Sequence, residues 1–459
     1  MVVQLIYPEI QELIRTRNFT ILRELLIEWE PTELAGLITG IQEEDRVIVF
    51  RLLPRDLATD TFEYLDVDEQ QQLLKAMGHE QAVLLLNEMS PDDRTALFEE
   101  LPAEVTKQII MLLNPVERSI ALTLLGYPEE SVGRLMTPDY ISVKQDWTVK
   151  EVLDYIRENG KSSETLNIIY VINEKNKLID DINIKQILLS PLETKVSDIM
   201  DENYVTLLAT DDQETAVNYF KKYDRVALPV TDSTGVLIGI ITVDDVLDVA
   251  EEETTEDIHK MGAVNTLEYP YMDTPFWQMI KKRVVWLVVL FVGEMFTATA
   301  MSVFEDQIAK AVVLVLFIPL IISSGGNSGS QAASLLIRAL SLGEVTIADW
   351  WKVLKREIPS GISMGIILAI VGFLRICVWE FAFNTYGEHW LPVALTVSCA
   401  LVGVVLWGTT IGSMMPIILK RLKFDPATSS TPFIATLCDV IGVLIYFSIA
   451  VFLLRGILL

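Results

Sequence analysis

The sequence has little cysteine and little histidine, with three residues of each in 459. Cys377, Cys399 and Cys438 lie in apolar stretches without the paired spacing of a metal site, so we interpret them as small core residues. The histidines are scattered, and we interpret His259 as a helix-face residue rather than a metal ligand. A phosphate-binding loop and a phosphorylated-aspartate motif are also lacking, which argues against an enzyme and against an ATP-driven pump.

Basic residues are few, with 36 Lys and Arg against 63 Asp and Glu and a formal net charge of −27. The excess of acidic residues is confined to residues 1–280, which carry 53 acidic and 23 basic residues. Residues 281–459 carry 10 acidic and 13 basic residues. Such an acidic region repels nucleic-acid phosphates and attracts cations, so nucleic-acid binding is not expected. The N-terminus is charged and amphipathic rather than a secretory signal, and we expect the acidic region to stay in the cytosol.

The C-terminal region contains long apolar stretches. A spanning helix needs about 20 mostly apolar residues. Five stretches reach this length, at about 284–304, 308–340, 358–379, 391–419 and 431–458. The second is too long for one straight span, and we expect Pro319 and Gly325-Gly326 to break it. Basic residues at 281–283, 352–356 and 420–423 lie at alternate span ends, and such residues are typical of the cytosolic side of a membrane. The pattern predicts a plasma- or inner-membrane protein with a cytosolic N-terminus and an extracytosolic C-terminus.

Polar residues inside these stretches are candidates for an ion path. A carboxylate in lipid costs about 3 kcal/mol on insertion scales, so Asp439 predicts either a cation path or a structural hydrogen bond. Glu294 leaves the same alternatives open. Residues 323–331, Ser-Ser-Gly-Gly-Asn-Ser-Gly-Ser-Gln, indicate either close packing of small residues or a kinked helix lining a pore. Asp425 is either a carboxylate at the cytosolic mouth or an acid at a helix N-terminus.

The ligand chemistry favours a particular kind of ion. Basic residues are scarce within the spans, which favours a cation over an anion. Mg²⁺ gives up its water reluctantly, so a path with few carboxylates and many hydroxyl and carbonyl groups suits this ion with its water attached.

The acidic region divides into two parts. Residues 1–130 have Leu-rich segments separated by prolines and glycine, which predicts a helical superhelix whose acidic face could also bind cations. Residues 131–250 contain two strand–helix units whose starts, Met136 and Met200, lie 64 residues apart. This repeat is similar to a pair of CBS domains, a ligand-sensing module, and the second copy is the clearer match.

An acidic stripe follows the second unit. Asp245, Asp248, Glu252 and Glu256 fall at helical spacings, where their like charges repel each other. The stripe is either a solvated face or a surface that Mg²⁺ screens, because hard divalent cations prefer carboxylate oxygens. In the second case the ion would hold this helix against the acidic N-terminal domain.

Five motifs occur along the chain in this order: Gly-Arg-Leu-Met-Thr-Pro at 133–138, Thr-Val-Asp-Asp-Val-Leu-Asp-Val at 242–249, Thr-Glu-Asp-Ile-His-Lys at 255–260, Gly-Gly-Asn-Ser-Gly-Ser-Gln at 325–331 and Pro-Phe-Ile-Ala-Thr-Leu-Cys-Asp at 432–439. With the order of the parts, they give the chain a resemblance to the MgtE-type magnesium channels over essentially its whole length. The resemblance implies a helical N-terminal domain at 1–130, a tandem α/β CBS pair at 131–250, a connecting helix at 251–275 and a five-helix transmembrane domain at 276–459.

The resemblance further implies a homodimer in membrane lipid, with a pore on the two-fold axis lined by spans two and five. Asp439 and the carbonyl of Ala435 would hold hydrated Mg²⁺. The implied pore positions are Asp439, Ala435, Thr431, Asn327, Gly325 and Gly326, with Asp425 at the mouth. The implied regulatory Mg²⁺ positions, which close the channel, are Asp60, Asp92, Asp93, Asp212, Glu214, Asp224, Asp245, Asp248, Glu253, Glu256 and Asp257. The helix from Glu251 to about Tyr269 would plug the pore.

The chain departs from the family pattern at several positions. Ser330 and Thr431 stand where asparagine is frequent, which puts pore affinity and selectivity in question, and Ala96 replaces an expected acid. Lys185-Gln186 replaces an Arg-Asp pair, and Tyr223-Asp224-Arg225 is a changed turn, so ATP binding to the CBS pair is in doubt. The leading hypothesis is gradient-driven Mg²⁺ passage closed by cytosolic Mg²⁺. The alternatives are a transporter of another divalent ion, such as Mn²⁺ or Co²⁺, and a non-conducting Mg²⁺ sensor.

Overall fold

The computed structural model describes residues 2–267, 271–272 and 274–458. The chain divides into two compact units, Met1–Ala250 and Glu251–Leu459, each with its own core.

The first unit begins with short helices separated at proline and glycine. Pro31, Pro91 and Pro115 each stand in the first turn of a helix, where the missing N–H would have no partner anyway. The helices are α1 (Val2–Arg15), α2 (Phe19–Leu26), α3 (Pro31–Gly40), α4 (Glu43–Leu52), α5 (Arg55–Glu63), α6 (Val67–Ala76), α7 (His79–Glu88), α8 (Pro91–Glu100), α9 (Ala103–Ile110) and α10 (Pro115–Leu124). Leu37 and Phe62 are fully buried in their common core. The predicted helical domain is confirmed.

Two three-stranded sheets of the same topology follow. The strands are β1 (Ser142–Lys144), β2 (Ile168–Ile172) and β3 (Leu178–Asn183), then β4 (Leu207–Leu208), β5 (Ala227–Thr231) and β6 (Leu237–Thr242). The accompanying helices are α11 (Val132–Leu135), α12 (Val149–Asn159), α13 (Ile184–Leu189), α14 (Gln213–Tyr223) and α15 (Val243–Met261). In each sheet the first strand runs parallel to the second and the second antiparallel to the third. The predicted pair of CBS-like units is therefore confirmed.

The strand registers relate the two copies residue by residue. Ile168 pairs with Asn183 in the first sheet, and Ala227 pairs with Thr242 in the second, 59 residues later. Helices α12 and α14 instead begin 64 residues apart, like the two predicted starts. The first copy therefore has five extra residues after its helix, where a 3-10 turn at Gly160–Ser162 precedes β2.

Helix α15 is the extended counterpart of α13. Helix α13 stops at Leu189, two residues before Pro191, whereas α15 runs unbroken from β6 to Met261. There Gly262 donates to the carbonyl of Ile258 and Ala263 adopts a left-handed φ of 56°, which ends the helix. Residues 251–261 of the expected connecting helix are the second part of α15, and the expected end at about Tyr269 is wrong because the helix stops at Met261. Residues 268–270 and 273 of the expected 251–275 segment lie outside the described residues.

Among the described residues, five helices are long and apolar enough to cross a membrane, which confirms the predicted number. Their α-helices are α16 (Phe276–Ser302), α18 (Ile318–Ser341), α19 (Trp350–Phe383), α20 (Trp390–Arg421) and α21 (Thr431–Leu454). The short helix α17 (Glu305–Lys310) and a 3-10 turn at Val312–Phe317 precede α18. The helical path is interrupted at Ala311, whose φ of −124° and ψ of 65° are not helical, and Pro319 stands in the first turn of α18. The expected break at Gly325-Gly326 is wrong, because α18 is continuous there.

Glycines allow the backbones of α18 and α20 to touch. A Cβ atom added at Gly412 would overlap the carbonyl oxygen of Gly329, and one added at Gly408 would overlap that of Gly325. We call these four residues the glycine seam. The seam explains why small residues occur in α18, since bulkier side chains would force the two helices apart.

Replacing Gly412 by alanine should destabilise the membrane unit by about 1–3 kcal/mol, the usual cost of overpacking. Gly326→Ala is the matched control, because its Cβ would lie 3.5 Å from the Cβ of Ala435, an ordinary contact distance. The measurement is the temperature at which half of the detergent-solubilised protein is lost from its size-exclusion peak. Equal midpoints for the two variants would contradict the close contact at the seam.

Candidate ion site

A pocket of about 370 Å³ lies between α18 and α21. Its lining is Pro319, Ile322, Ser323, Gly326, Asn327 and Ser330 from α18, and Thr431, Pro432, Ala435 and Asp439 from α21. Five of the six predicted pore residues therefore meet at one place. Gly325 does not, because it faces Val404 of α20 and belongs to the glycine seam.

Helical periodicity places the pocket's polar groups on facing surfaces. Ser323, Asn327 and Ser330 are separated by four and three residues, so they share one face of α18. Ala435 and Asp439 stand one turn apart on α21, which begins where Ser430 Oγ accepts a hydrogen bond from the N–H of Phe433. The hydroxyl of Ser330 donates to the carbonyl of Thr431 at 3.3 Å, so the two departures from the family pattern contact each other.

Glu294 of α16 reaches the same site. Its carboxyl group stands close enough to that of Asp439 for the two to interact electrostatically. The helices approach closely there, since a Cβ at the neighbouring Gly293 would lie 2.8 Å from Cγ2 of Thr436. Two adjacent carboxyl groups repel each other when both are ionised, and a cation between them removes that repulsion. The sequence contains no pattern that supports a role for Glu294 in an ion path. Its proximity to Asp439 follows only from the packing of α16 on α21.

Asp425 fills the second of its two predicted roles, at the start of a helical turn. Its Oδ1 accepts from the N–H of Ala427 at 2.8 Å, in the 3-10 turn Pro426–Thr428. Its Oδ2 accepts from Nζ of Lys260 at 2.6 Å.

A second cluster of carboxylates lies where α8 approaches the start of α15, inside the first unit. Asp92 and Asp93 of α8 stand close enough to Asp244, Asp245 and Asp248 for their charges to interact. We call these five residues the α8–α15 cluster. One oxygen of Asp92, Oδ1, is buried without a hydrogen-bond partner. The N-terminal end of the acidic stripe therefore approaches the N-terminal domain, and a Mg²⁺ ion between them stays a prediction.

Burial sets the electrostatics of this cluster. Burial raises the pKa of Asp245 to about 7, and the charges of Asp244 and Asp93 add to a rise that the hydroxyl of Thr242 opposes. Burial and neighbouring carboxylates also raise the pKa values of Asp92 and Asp93. Within the described residues, no three His, Cys, Asp or Glu side chains are already arranged to hold a metal ion. A divalent ion would have to draw these carboxylates together.

The structure does not gather the remaining predicted regulatory residues at one point. Asp212 caps the N-terminus of α14 and Glu214 follows in its first turn, whereas Asp224 ends that helix in a left-handed conformation with φ of 52°. These ends are roughly 16 Å apart at 1.5 Å per residue. Asp60 lies on α5, where burial and the charge of Asp56 raise its pKa. The others, Glu253, Glu256 and Asp257, lie on α15.

Sequence reasoning missed two acidic residues in the first CBS-like unit. Asp180 and Asp181 occupy the positions that Gly239 and Ile240 hold in the second copy, 59 residues later. Asp180 is fully buried and accepts backbone N–H groups from residues 201 and 202, at 2.9 and 3.1 Å. Asp181 forms an ion pair with Arg225 at 3.4 Å, which links the two copies. Aligning the repeats would have revealed both, as charges at apolar positions of the sheet.

Family models match three parts of the chain. A model described as a divalent cation transporter matches residues 318–449, and one described as the MgtE intracellular N domain matches residues 29–130. The CBS domain model matches residues 132–192 and 196–252. The matches follow the same order as the helical domain, the two sheets and the apolar helices.

Curated relatives extend the similarity over the whole chain. The magnesium transporter MgtE of Thermus thermophilus is 34% identical over 98% of this chain and 98% of its own length. The magnesium transporter MgtE of Bacillus subtilis is 30% identical over 95% of each.

Two solved structures match the acidic region. The cytosolic domain of the Mg²⁺ channel MgtE, crystallised in complex with ATP, has a TM-score of 0.51 and 33% identity, covering 52% of this chain and 98% of that one. The soluble part of a magnesium transporter has a TM-score of 0.52 and 26% identity, covering 55% of this chain and 99% of that one.

Proposed function

The chain belongs to the MgtE family of magnesium transporters, and from this membership we propose that it carries Mg²⁺ through the pocket between α18 and α21. The observation that carries the proposal is the position of Asp439. Its carboxyl group stands among hydroxyl and amide groups, between two helices apolar enough to span a membrane.

The size of the pocket supports passage of the ion with its water. Mg²⁺ is octahedral and dehydrates reluctantly, and six waters at about 30 Å³ each occupy roughly 180 Å³. The pocket of about 370 Å³ admits that group. Gly326 leaves room on one wall, and Asn327 and Ser330 offer polar atoms to the ion's water. Asp439 then supplies the charge, so the ion need not shed its water shell to be held.

The proposal includes a dimer and a direction of passage. The basic residues at the span ends support a cytosolic N-terminus, and a second copy placed against the open side of the pocket would complete a pore. A divalent ion entering down a potential of 100 mV gains about 4.6 kcal/mol, so the gradient alone can drive uptake. Gln186, one of the two residues that replace the Arg-Asp pair, caps α13 by accepting from the N–H of Asn183 at 3.2 Å.

We propose that cytosolic Mg²⁺ closes the channel by binding the α8–α15 cluster. The residues fit this ion, since they supply only carboxylates and one buried oxygen of Asp92 has no partner. Bound Mg²⁺ would neutralise their repulsion and hold α8 on α15. At low Mg²⁺ the ionised carboxylates would push the two helices apart.

The test is Mg²⁺ flux into proteoliposomes loaded with a fluorescent Mg²⁺ indicator, across a series of Mg²⁺ concentrations on the cytosolic face. We expect flux that falls as that concentration rises. Flux without closure would remove the gating part of the proposal and keep the transport part. No flux under any condition would favour the non-conducting sensor, and faster Mn²⁺ or Co²⁺ flux would favour another substrate.

A further inference from the structure

At the C-terminal end of α15, the ammonium group of Lys260 forms ion pairs with two carboxylates. Nζ of Lys260 lies 2.6 Å from Oε1 of Glu256, one turn earlier in the helix, and 2.6 Å from Oδ2 of Asp425. The three side chains are between 26% and 34% exposed, so water partly screens the interaction. Glu256 was predicted to bind regulatory Mg²⁺, and Asp425 was predicted to stand at the cytosolic mouth.

The same helix end is tied to the spans that line the pocket. Oδ2 of Asp257 accepts a hydrogen bond from the hydroxyl of Ser341, the last residue of α18, at 3.4 Å. Asp425 precedes α21 by six residues and fixes the turn that leads into it. Lys260 therefore joins α15 to the segment before one pocket helix, while Asp257 joins it to the end of the other.

Lysine and Mg²⁺ can satisfy these carboxylates in the same way. An ammonium group is a compact point charge on a flexible stem, and Mg²⁺ is a small cation with twice the charge. Burial opposes the charge on Lys260, but its hydrogen bonds to Asp425 and Glu256 outweigh that effect and raise its pKa. Its positive charge is therefore present throughout the physiological pH range.

We propose that Lys260 is a tethered cation that competes with Mg²⁺ for Glu256 and Asp425 at the cytosolic mouth. At low Mg²⁺ it holds the end of α15 near the pocket helices, and at high Mg²⁺ the ion displaces it. The competition raises the Mg²⁺ concentration needed for closure. This inference rests on the proposed function for its effect on flux, whereas the displacement of Lys260 can be measured without transport.

The direct test is lysine acylation of the full-length protein by an N-hydroxysuccinimide ester, quantified by mass spectrometry with and without Mg²⁺. Mg²⁺ should raise the labelling rate of Lys260 about two- to fivefold, the range for an ion pair that water partly screens. Asp425→Asn should raise it to a similar level without Mg²⁺. Lys352 is the internal control, because its side chain is 84% exposed and its partner Asp349 is three residues away. Labelling of Lys260 that Mg²⁺ leaves unchanged or lowers would overturn the inference.

The flux test uses Lys260→Met, which keeps the apolar stem and removes the charge, beside Lys260→Arg, which keeps the charge. The methionine variant should close at a cytosolic Mg²⁺ concentration about two- to fivefold lower than wild type. Its flux in Mg²⁺-free medium should be higher, because α15 loses a contact. The arginine variant should resemble wild type. Equal closure in all three proteins overturns the inference while leaving Mg²⁺ transport intact, whereas a wild type without flux overturns the proposed function itself.

Discussion

Asp439→Asn is expected to reduce Mg²⁺ flux at least about a hundredfold, because a charge pair 4 Å apart is worth about 4 kcal/mol at an effective dielectric constant of 20. The substitution keeps the size of the side chain and removes the charge that faces the pocket. The measurement is the initial rate of Mg²⁺ entry into proteoliposomes, normalised to the amount of folded protein. Asp439→Glu, which keeps the charge and moves it by one methylene, should retain part of the flux.

Asp306→Asn is the matched control for this prediction. Asp306 is exposed in α17 and lies outside the pocket, so the same chemical change should leave flux close to that of wild type. A large loss in both variants would point to a general effect of charge on the protein. Flux in Asp439→Asn within about twofold of wild type would contradict the role of Asp439, since that ratio corresponds to under 0.5 kcal/mol.

Replacing Asp92 and Asp245 together by asparagine should raise the cytosolic Mg²⁺ concentration that half-closes the channel at least about tenfold, within the usual range of coupling energies between sites. The change removes two of the proposed ligands where α8 meets α15. Flux in Mg²⁺-free medium should match wild type, because the pocket is untouched. The measurement is the dependence of flux on cytosolic Mg²⁺.

Glu158→Gln serves as the control, since Glu158 is exposed on α12. The double variant also separates two physical mechanisms. If ligation holds the helices together, the variant stays open at high Mg²⁺. If loss of repulsion alone is enough, the variant is closed at every Mg²⁺ concentration, and the ligand role of Asp92 and Asp245 is wrong.

The elements themselves were predictable from local sequence patterns. Apolar length identified the five spans, and the 64-residue spacing of Met136 and Met200 identified the repeated units. The end of α15 could also have been predicted, because Gly262 is a typical helix terminator. The predicted end at about Tyr269 was wrong because it was taken from the family resemblance and not from this glycine.

The direction in which neighbouring residues face could not be predicted in the same way. Gly325 and Gly326 are adjacent in sequence, yet the first packs on Val404 and the second faces Ala435 across the pocket. The pairing of Lys260 with Asp425 joins residues 165 positions apart. Such contacts depend on how whole helices pack, and neither composition nor periodicity in one chain contains that information.

The glycine seam has a consequence for spectroscopy. Backbones in direct contact have no flexible side chains between them to absorb a relative displacement, so α18 and α20 can shift only together. Spin labels placed on the outer surfaces of these two helices should keep one separation at low and at high cytosolic Mg²⁺. That separation is an internal length standard, against which distance changes elsewhere in the membrane unit can be calibrated.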